Sequence, residues 1–176
     1  MSGWHRWRWL AIAVTVAACR GGAAEGPPPL DACGLLGRDE ATAALGPVEA
    51  PAAGRGAATD DLAGRSGCAW VARDGSAAVL VELVRTADMA PRVRRTGFSA
   101  AARFGAARSR HPDAVEVDDL GDDAFWDPDG AVLHVLAGAS YLTFEVASDE
   151  PGDAEMLARR LAGPAVARVH RADGPD

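Results

Sequence analysis

The sequence contains three cysteines, and the chemistry of their side chains can be inferred most directly. A thiol can carry a lipid, pair in a disulfide or bind a metal ion. Cys19 lies close to the N-terminus, whereas Cys33 and Cys68 lie farther along the chain. An odd thiol is unusual in an exported protein, so a separate role for Cys19 would leave the other two cysteines to pair.

The segment before Cys19 has the three parts that export requires. Arginines supply positive charge, residues 9–18 form an apolar run, and the run leads into Val16-Ala17-Ala18-Cys19, which resembles the bacterial lipobox. As a helix the run would cover roughly 15 Å, about half of the hydrocarbon core, so it cannot remain as a membrane span. The sequence therefore predicts a signal peptide over 1–18 and a lipid on Cys19, with a plain secretory leader as the alternative.

Cys33 and Cys68 become the remaining pair once Cys19 carries a lipid. We interpret them as a structural disulfide. Two reduced thiols or a zinc site are the alternatives, but the histidines show no finger-like spacing to either cysteine and the sequence has no Cys-x-x-Cys. We therefore expect neither a metal site nor a cofactor.

Composition is typical of one acidic domain behind this leader. The 176 residues include 25 acidic and 18 basic side chains, all of the basic ones arginine, and the formal net charge is −7. A nucleic-acid partner requires a basic surface and is not expected. We expect a lipidated tether over 19–30, a single domain over 31–170 and a disordered tail over 171–176.

Hydropathy periodicity and turn residues predict the elements of the domain. The predicted helices span 31–45, 91–107 and 151–161, the last with an extension toward 169 and a kink or end at Pro164. The predicted strands span 68–71, 77–85, 123–126, 132–137 and 141–147, and residues 46–67 predict a long loop. This order predicts an α+β fold, in which two to three helices pack on one face of an antiparallel sheet of about five strands.

Short motifs in this order resemble a family of small lipoproteins of unknown function that is abundant in actinobacteria. They are Asp31-Ala-Cys33-Gly-Leu35-Leu36, Asp39-Glu40, Ala44-Leu45-Gly46, Gly67-Cys68-Ala-Trp70, Leu120-Gly121-Asp122-Asp123-Ala124 and an Ala-rich terminal helix. The resemblance implies a disulfide between Cys33 and Cys68 in a lipid-anchored α+β domain, similar to the PsbP and Mog1 type. It brings no established catalytic residues.

Catalytic motifs do not stand out. The sequence has no Gly-x-Ser-x-Gly, and nothing places a base beside Ser66 or Ser140. Asp127-Pro-Asp129-Gly130 ends an acidic stretch that hints at a Ca²⁺ loop, but solvated turns between strands explain it better. His134 lies in an apolar strand, which favours a packed or surface-facing side chain over a catalyst.

Two pairs of side chains are candidates for binding. Trp70 and Trp126 lie near strand ends, where they would either enter the core, which we favour, or line a cleft. Arg92 and Arg95 belong to a locally basic segment that could dock an anionic partner, a lipid headgroup or a glycan, together with Arg94, Arg103, Arg108 and Arg110.

These observations predict an exported module, anchored by lipid to a bacterial membrane and facing the periplasm or exterior. Because no catalytic motif is found, we expect a non-enzymatic module that binds a small ligand or an envelope protein. The alternative is a small envelope hydrolase acting on cell-wall or lipid substrate, which only the location favours.

Lipidation makes a direct prediction for Cys19. Cys19→Ala removes the thiol that accepts the lipid, so the precursor should keep its leader and take up no radiolabelled palmitate. The double variant Cys33→Ala/Cys68→Ala is the matched control and should still be labelled and cut. Normal processing of Cys19→Ala with release of soluble protein would contradict the lipobox interpretation.

Overall fold

The computed structural model describes residues 30–53 and 63–173. Its strands are short at the edges and long in the middle: β1 (Ala52–Ala53), β2 (Arg65–Val71), β3 (Ala77–Arg85), β4 (Val115–Glu116), β5 (Asp123–Asp127), β6 (Val132–Ala137) and β7 (Ser140–Ser148). Within the described residues they form one antiparallel sheet of seven strands, in the order β1-β2-β3-β7-β6-β5-β4. The predicted signal peptide, Cys19 and residues 19–29 of the predicted tether lie outside the described part.

The sheet has two faces of different composition, because side chains alternate along each strand. In the central pair of strands, Val81 is aligned with Phe144, and the next residue, Glu82, is aligned with Thr143. We call the face that carries Val81 and Phe144 the first face, and the face that carries Glu82 and Thr143 the second face. The first face is almost entirely apolar, whereas the second face mixes apolar and polar side chains.

Helices flank the sheet on both sides. They are α1 (Arg38–Leu45), α2 (Pro91–Arg94), α3 (Ala100–Arg108) and α4 (Ala154–Asp173), with short 3-10 helices at Ala32–Leu35 and Pro151–Asp153. The first face holds the main core, to which α1, α4 and the first 3-10 helix contribute Leu35, Ala41, Leu45, Leu157, Leu161, Val166 and Val169. No helix among the described residues is both long and apolar enough to cross a membrane.

A second apolar cluster forms where α3 covers part of the second face. Phe104 of α3 packs against Phe125, with ring centroids 5.3 Å apart, and against Tyr141, at 5.8 Å. Ser99 caps this helix by accepting a hydrogen bond from the backbone N–H of Ala102. The cluster consists of Val84, Met89, Ala100, Phe104, Ala107, Phe125 and Tyr141.

The predicted α+β class is confirmed, and each predicted strand is present. The sheet is wider than the predicted five or so strands because β1 and β4, with two residues each, are too short to show a hydropathy period. The helices pack on both faces rather than one, since the second face carries an apolar cluster of its own.

Helix boundaries differ from the predictions where glycine or tertiary packing intervenes. The predicted helix 91–107 is two helices, separated near Gly97, whose φ is 83°. The helix that contains Pro164 does not end there but continues to Asp173. Buried side chains on both sides of Pro164 pack against the sheet, which offsets the lost backbone hydrogen bond. Asp173 forms an ion pair with Arg85, 2.7 Å apart.

The disulfide between Cys33 and Cys68 is present, with the two Cα atoms 5.0 Å apart. It joins the first 3-10 helix to β2, and Ser66 strengthens the junction by accepting a hydrogen bond from the backbone N–H of Ala32 at 3.0 Å. The predicted loop 46–67, which precedes the second cysteine, contains β1 and the start of β2, and its residues 54–62 lie outside the described part.

Gly121 offers a test of the backbone that leads into β5. Its φ is 68°, and a Cβ there would lie 2.4 Å from the carbonyl oxygen of Leu136, so Gly121→Ala should lower the free energy of unfolding by about 2 kcal/mol or more. Gly105→Ala is the control, because Gly105 lies inside α3 with nothing near its Cβ position, and should raise that free energy by about 0.5–1 kcal/mol. Urea unfolding measures both, and equal stability of the two variants would contradict the structure.

Candidate functional site

His134 is a polar side chain buried within the second face. The residue is 7% exposed, and its ring stacks on Phe125 with the centroids 4.3 Å apart and the planes 14° apart. The pairing of β5 with β6 produces this stack, because it aligns Phe125 with His134. The imidazole is therefore held between apolar neighbours, where each of its nitrogens requires a partner.

Only one of the two ring nitrogens has such a partner. Nδ1 of His134 lies 2.6 Å from the hydroxyl oxygen of Tyr141, which comes from the adjacent strand β7. Nε2 is buried and has no hydrogen-bond partner among the described residues. An unsatisfied buried nitrogen of this kind costs about 1–3 kcal/mol, so its presence calls for a physical explanation.

A second histidine and a carboxylate approach the same place from other elements. His111 follows α3, and its Nδ1 lies 3.0 Å from Oδ2 of Asp127, the last residue of β5. The carboxylate of Asp127 is nearly buried, with 8% of the side chain exposed, and also accepts a hydrogen bond from the backbone N–H of Asp129. Gly130 gives it room, because a Cβ there would lie 2.7 Å from Oδ2 of Asp127.

These three residues bring together ligand atoms of the kind that hold metal ions. One atom each from His111, Asp127 and His134 lies within 4.8 Å of the other two. We call these residues the histidine cluster. They are contributed by three separate segments, which the sheet register and the end of α3 bring into contact.

Burial controls the protonation of the pair at the centre of the site. It lowers the pKa of His134 to about 4, with further lowering by the charges of His111 and Arg110 and an opposing effect of Asp127. It also raises the pKa of Tyr141 to about 12. Proton transfer from the phenol to the imidazole would cost on the order of 10 kcal/mol, so both groups stay neutral at neutral pH.

A pocket of about 210 Å³ opens beside this pair on the part of the second face that α3 leaves uncovered. We call it the arginine pocket, because two arginines line it, Arg103 from the middle of α3 and Arg110 from the turn after that helix. Arg103 and Arg110 form no ion pair with any residue in the described ranges, whereas Glu82 at the same pocket is paired with Arg65. Its lining consists of Leu80, Glu82, Arg103, Arg110, Val132, His134, Tyr141, Thr143 and Glu145.

A larger pocket, about 340 Å³, lies near the disulfide at the other side of the fold. Ala53 and Gly64 line it, and they lie on either side of the segment 54–62, which is not described. We favour the arginine pocket as the candidate site because its walls are described and include a buried polar floor.

The residues selected from the sequence lie elsewhere. Trp70 and Trp126 are 2% and 6% exposed and belong to the main core on the first face, so they line neither pocket. Arg92 and Arg95 are exposed on and just after α2, and they do not line the arginine pocket. The structure brings Arg103 and Arg110 to a pocket instead.

Arg108, on the same helix as Arg103, has acidic partners. Its guanidinium pairs with Glu116 and with Asp123, the latter at 3.0 Å, and lies 5.5 Å from the ring centroid of Phe125. Arg94 donates to the backbone carbonyl of Ala87. Of the locally basic segment, Arg108 thus has acidic partners, Arg92 and Arg95 are exposed away from the arginine pocket, and Arg103 and Arg110 line that pocket.

The serines are separate from the histidine cluster. The hydroxyl of Ser66 accepts from the backbone of Ala32, and Ser140 is fully buried with no hydrogen-bond partner in the described part for its hydroxyl. In residues 30–53 and 63–173, no serine hydroxyl forms a hydrogen bond to a histidine.

Sequence reasoning missed the histidine cluster because its members are far apart along the chain. One signal was available: in Val132–Ala137, alternation sends Leu133 and Val135 to one face and leaves His134 on the other. The position of Asp127 at a strand end also offered a hint, but the turn interpretation treated it as solvated, whereas it is buried. Only the tertiary register reveals that it meets His111.

No protein-family model matches the sequence, and neither a curated protein nor a solved structure matches it significantly.

The depressed pKa of His134 predicts how stability depends on pH. Between about pH 6.5 and pH 4 the unfolded chain binds a proton at this residue and the folded chain does not, so the free energy of unfolding should fall as pH falls through that window. Over the whole window the free energy of unfolding should fall by about 3 kcal/mol. Urea unfolding at several pH values, with a chelator present throughout, measures the effect.

His134→Asn isolates that contribution, because its amide can still bond to Tyr141 but does not titrate. Its pH dependence should be shallower than that of the unchanged protein by the same amount. Parallel curves for the protein and His134→Asn would show that the folded state does not exclude the proton.

Proposed function

We propose that this chain is an exported lipoprotein, anchored through Cys19, whose domain binds a small organic anion in the arginine pocket without transforming it. The observation that carries the proposal is the pair of arginines, Arg103 and Arg110, which lack an ion-pair partner among the described residues and reach a pocket with a buried polar floor. The membrane is a partner through the lipid, and no nucleic acid is involved.

The proposed location draws support from two independent features. The sequence before Cys19 resembles a lipobox with a leader of the right composition. The disulfide between Cys33 and Cys68 is of the kind that persists in an oxidising compartment outside the cytosol. With Cys33 and Cys68 paired, Cys19 is the one cysteine left to accept a lipid.

The charges at the pocket favour an anionic group on the ligand. Although burial raises the pKa of Tyr141, the positive charges of Arg103 and Arg110 act in the opposite direction, so their field reaches the floor of the pocket. A planar guanidinium binds carboxylate or phosphate oxygens in a bidentate manner, and each such charge-assisted bond contributes about 1.5–3 kcal/mol. Glu145, which has no ion pair in the described part, would meet a polar or cationic portion of the same ligand.

The size of the pocket limits the ligand. A volume of about 210 Å³ is smaller than the range of roughly 300–1,000 Å³ that holds drug-sized molecules. We therefore propose a ligand with few heavy atoms, or the anionic head of a larger molecule. The hydroxyl groups of Tyr141 and Thr143 line the pocket and supply directional hydrogen bonds.

The alternative of a hydrolase gains no specific observation. A hydrolase requires a nucleophile paired with a base, and the pair that comes nearest to this is Tyr141 with His134, which are joined by a hydrogen bond. An activated nucleophile has a lowered pKa, whereas burial raises the pKa of Tyr141 to about 12. The pair is better suited to shaping a binding site than to attacking a substrate.

The binding proposal predicts which arginines matter. Inorganic phosphate and glutarate serve as probes, titrated into the full chain in detergent with a chelator present and followed by NMR chemical shifts. Arg103→Gln/Arg110→Gln should weaken saturable binding by about 100-fold or more, because it removes two charge-assisted bonds of about 1.5–3 kcal/mol each.

The matched control is Arg92→Gln/Arg95→Gln, which removes the same charge from exposed positions outside the pocket. It should change binding less than about twofold, the size of effect expected from screened surface charges. Equal weakening by both double variants would show that the probes sense only net charge. Absence of saturable binding in the unchanged protein would contradict the pocket as an anion site.

A further inference from the structure

The histidine cluster has a donor set that suits a particular class of metal ion. Two imidazoles and one carboxylate, from His111, His134 and Asp127, provide nitrogen and oxygen ligands. Imidazole suits zinc, copper, iron and nickel, whereas calcium and magnesium sites are built from oxygen. The two cysteines in the described part are joined in the disulfide, so no thiolate from that part competes.

An independent observation shows that His134 is prepared to act as a ligand. Its Nε2 is buried and has no hydrogen-bond partner in the described part, while its Nδ1 is occupied by Tyr141 at 2.6 Å. Histidines that bind metal ions usually donate their other ring N–H to an oxygen, which fixes the ring and leaves a bare lone pair for the metal. The hydroxyl oxygen of Tyr141 can accept a hydrogen bond from Nδ1–H, which leaves the lone pair on the buried Nε2, the nitrogen that lacks a partner in the described part.

Binding requires the ligand atoms to move closer together by a modest distance. In a tetrahedral site two ligand atoms, each about 2.0–2.2 Å from the ion, are about 3.3–3.6 Å apart. The three atoms of the cluster lie within 4.8 Å of one another, so the widest pair must approach by up to about 1.5 Å. His111 is the least buried of the three, with 32% of its side chain exposed.

Charge in the site partly opposes and partly favours a cation. Arg110 lies near enough to disfavour added positive charge at His134, and the buried carboxylate of Asp127 compensates for it. In the absence of an ion, that carboxylate contacts the partly exposed imidazole of His111 at 3.0 Å. A divalent ion would replace this contact with a stronger one and satisfy Nε2 of His134 at the same time.

From these observations, we propose that His111, Asp127 and His134 bind one divalent transition-metal ion of the zinc class, with Tyr141 as a positioning residue that orients the ring of His134. Three protein ligands leave at least one coordination position for water or another oxygen ligand. Because His134 also lines the arginine pocket, that position lies beside the proposed anion site. The metal site does not depend on anion binding and is tested without any anion.

Metal titration tests the proposal. The full chain is prepared in detergent without a histidine tag and freed of metal with a chelator. Zn²⁺ is then titrated in competition with a chromogenic chelator, and Co²⁺ is followed by its visible absorption. We expect one ion per chain, with a dissociation constant of about 1 µM or lower, and a Co²⁺ spectrum typical of nitrogen and oxygen ligands.

Substitutions distinguish the residues that bind the ion from residues that do not. His111→Asn, Asp127→Asn and His134→Asn should each weaken Zn²⁺ binding by about 100-fold or more, and Tyr141→Phe by about tenfold because it acts through His134. His170→Asn, an exposed histidine on α4, should bind as the unchanged protein does. Since His111 is partly exposed, its variant should fold and keep the test decisive even if the buried positions do not tolerate change.

Two results would overturn the site: absence of stoichiometric binding to the unchanged protein, or wild-type affinity in His111→Asn. If metal binding fails but the arginine variants still alter phosphate and glutarate binding with a chelator present, only the metal site is wrong. If metal binding succeeds and no anion binds, the metal site stands and the anion pocket does not.

Discussion

The hydrogen bond between His134 and Tyr141 is the interaction on which the second face of the sheet depends. An imidazole that is 7% exposed cannot rely on water, so its nitrogens must be satisfied by the protein or by a bound species. Tyr141 satisfies Nδ1, and the stacking of Phe125 on the ring closes off solvent from one side. The remaining nitrogen, Nε2, is buried without a partner in the described part, and it is therefore the atom on this face that a bound species could satisfy.

The sheet allows this chemistry because it separates packing from function by side-chain alternation. The first face buries its apolar side chains beneath α1 and α4 and forms the main core. That core fixes the strand register, and the register in turn aligns Phe125 with His134 and His134 with Thr143. On the second face a smaller apolar cluster lies under α3, and the remaining surface carries charged and hydrogen-bonding groups.

The elements of the fold could be predicted from the sequence to the extent that they have local signals. β3, β6 and β7 follow from alternating apolar residues, and the Cys33–Cys68 disulfide follows from counting thiols. Elements that depend on tertiary contacts could not be predicted: the two-residue strand β4 has no period, and the helix through Pro164 continues because its neighbours are buried against the sheet.

The candidate site shows the same division. Arginines near α3 were recognised as a possible anion surface, but the sequence does not reveal which of them pair with acids and which face a pocket. His111 and Asp127 gave no local sign of meeting, since the contact arises from the turn after α3 folding back onto β5. Local periodicity predicts on which face of the sheet a side chain lies. Predicting a site also requires the register between strands, which decides which side chains are neighbours on that face.

The most direct test of this account is the tautomer of His134, read from the ¹⁵N chemical shifts of its ring at neutral pH with a chelator present. The expected result is a neutral ring with its proton on Nδ1, in a hydrogen bond donated to the hydroxyl oxygen of Tyr141, and a bare Nε2. A ring protonated on Nε2, or on both nitrogens, would contradict it, because no lone pair would then be available to a metal ion inside the second face.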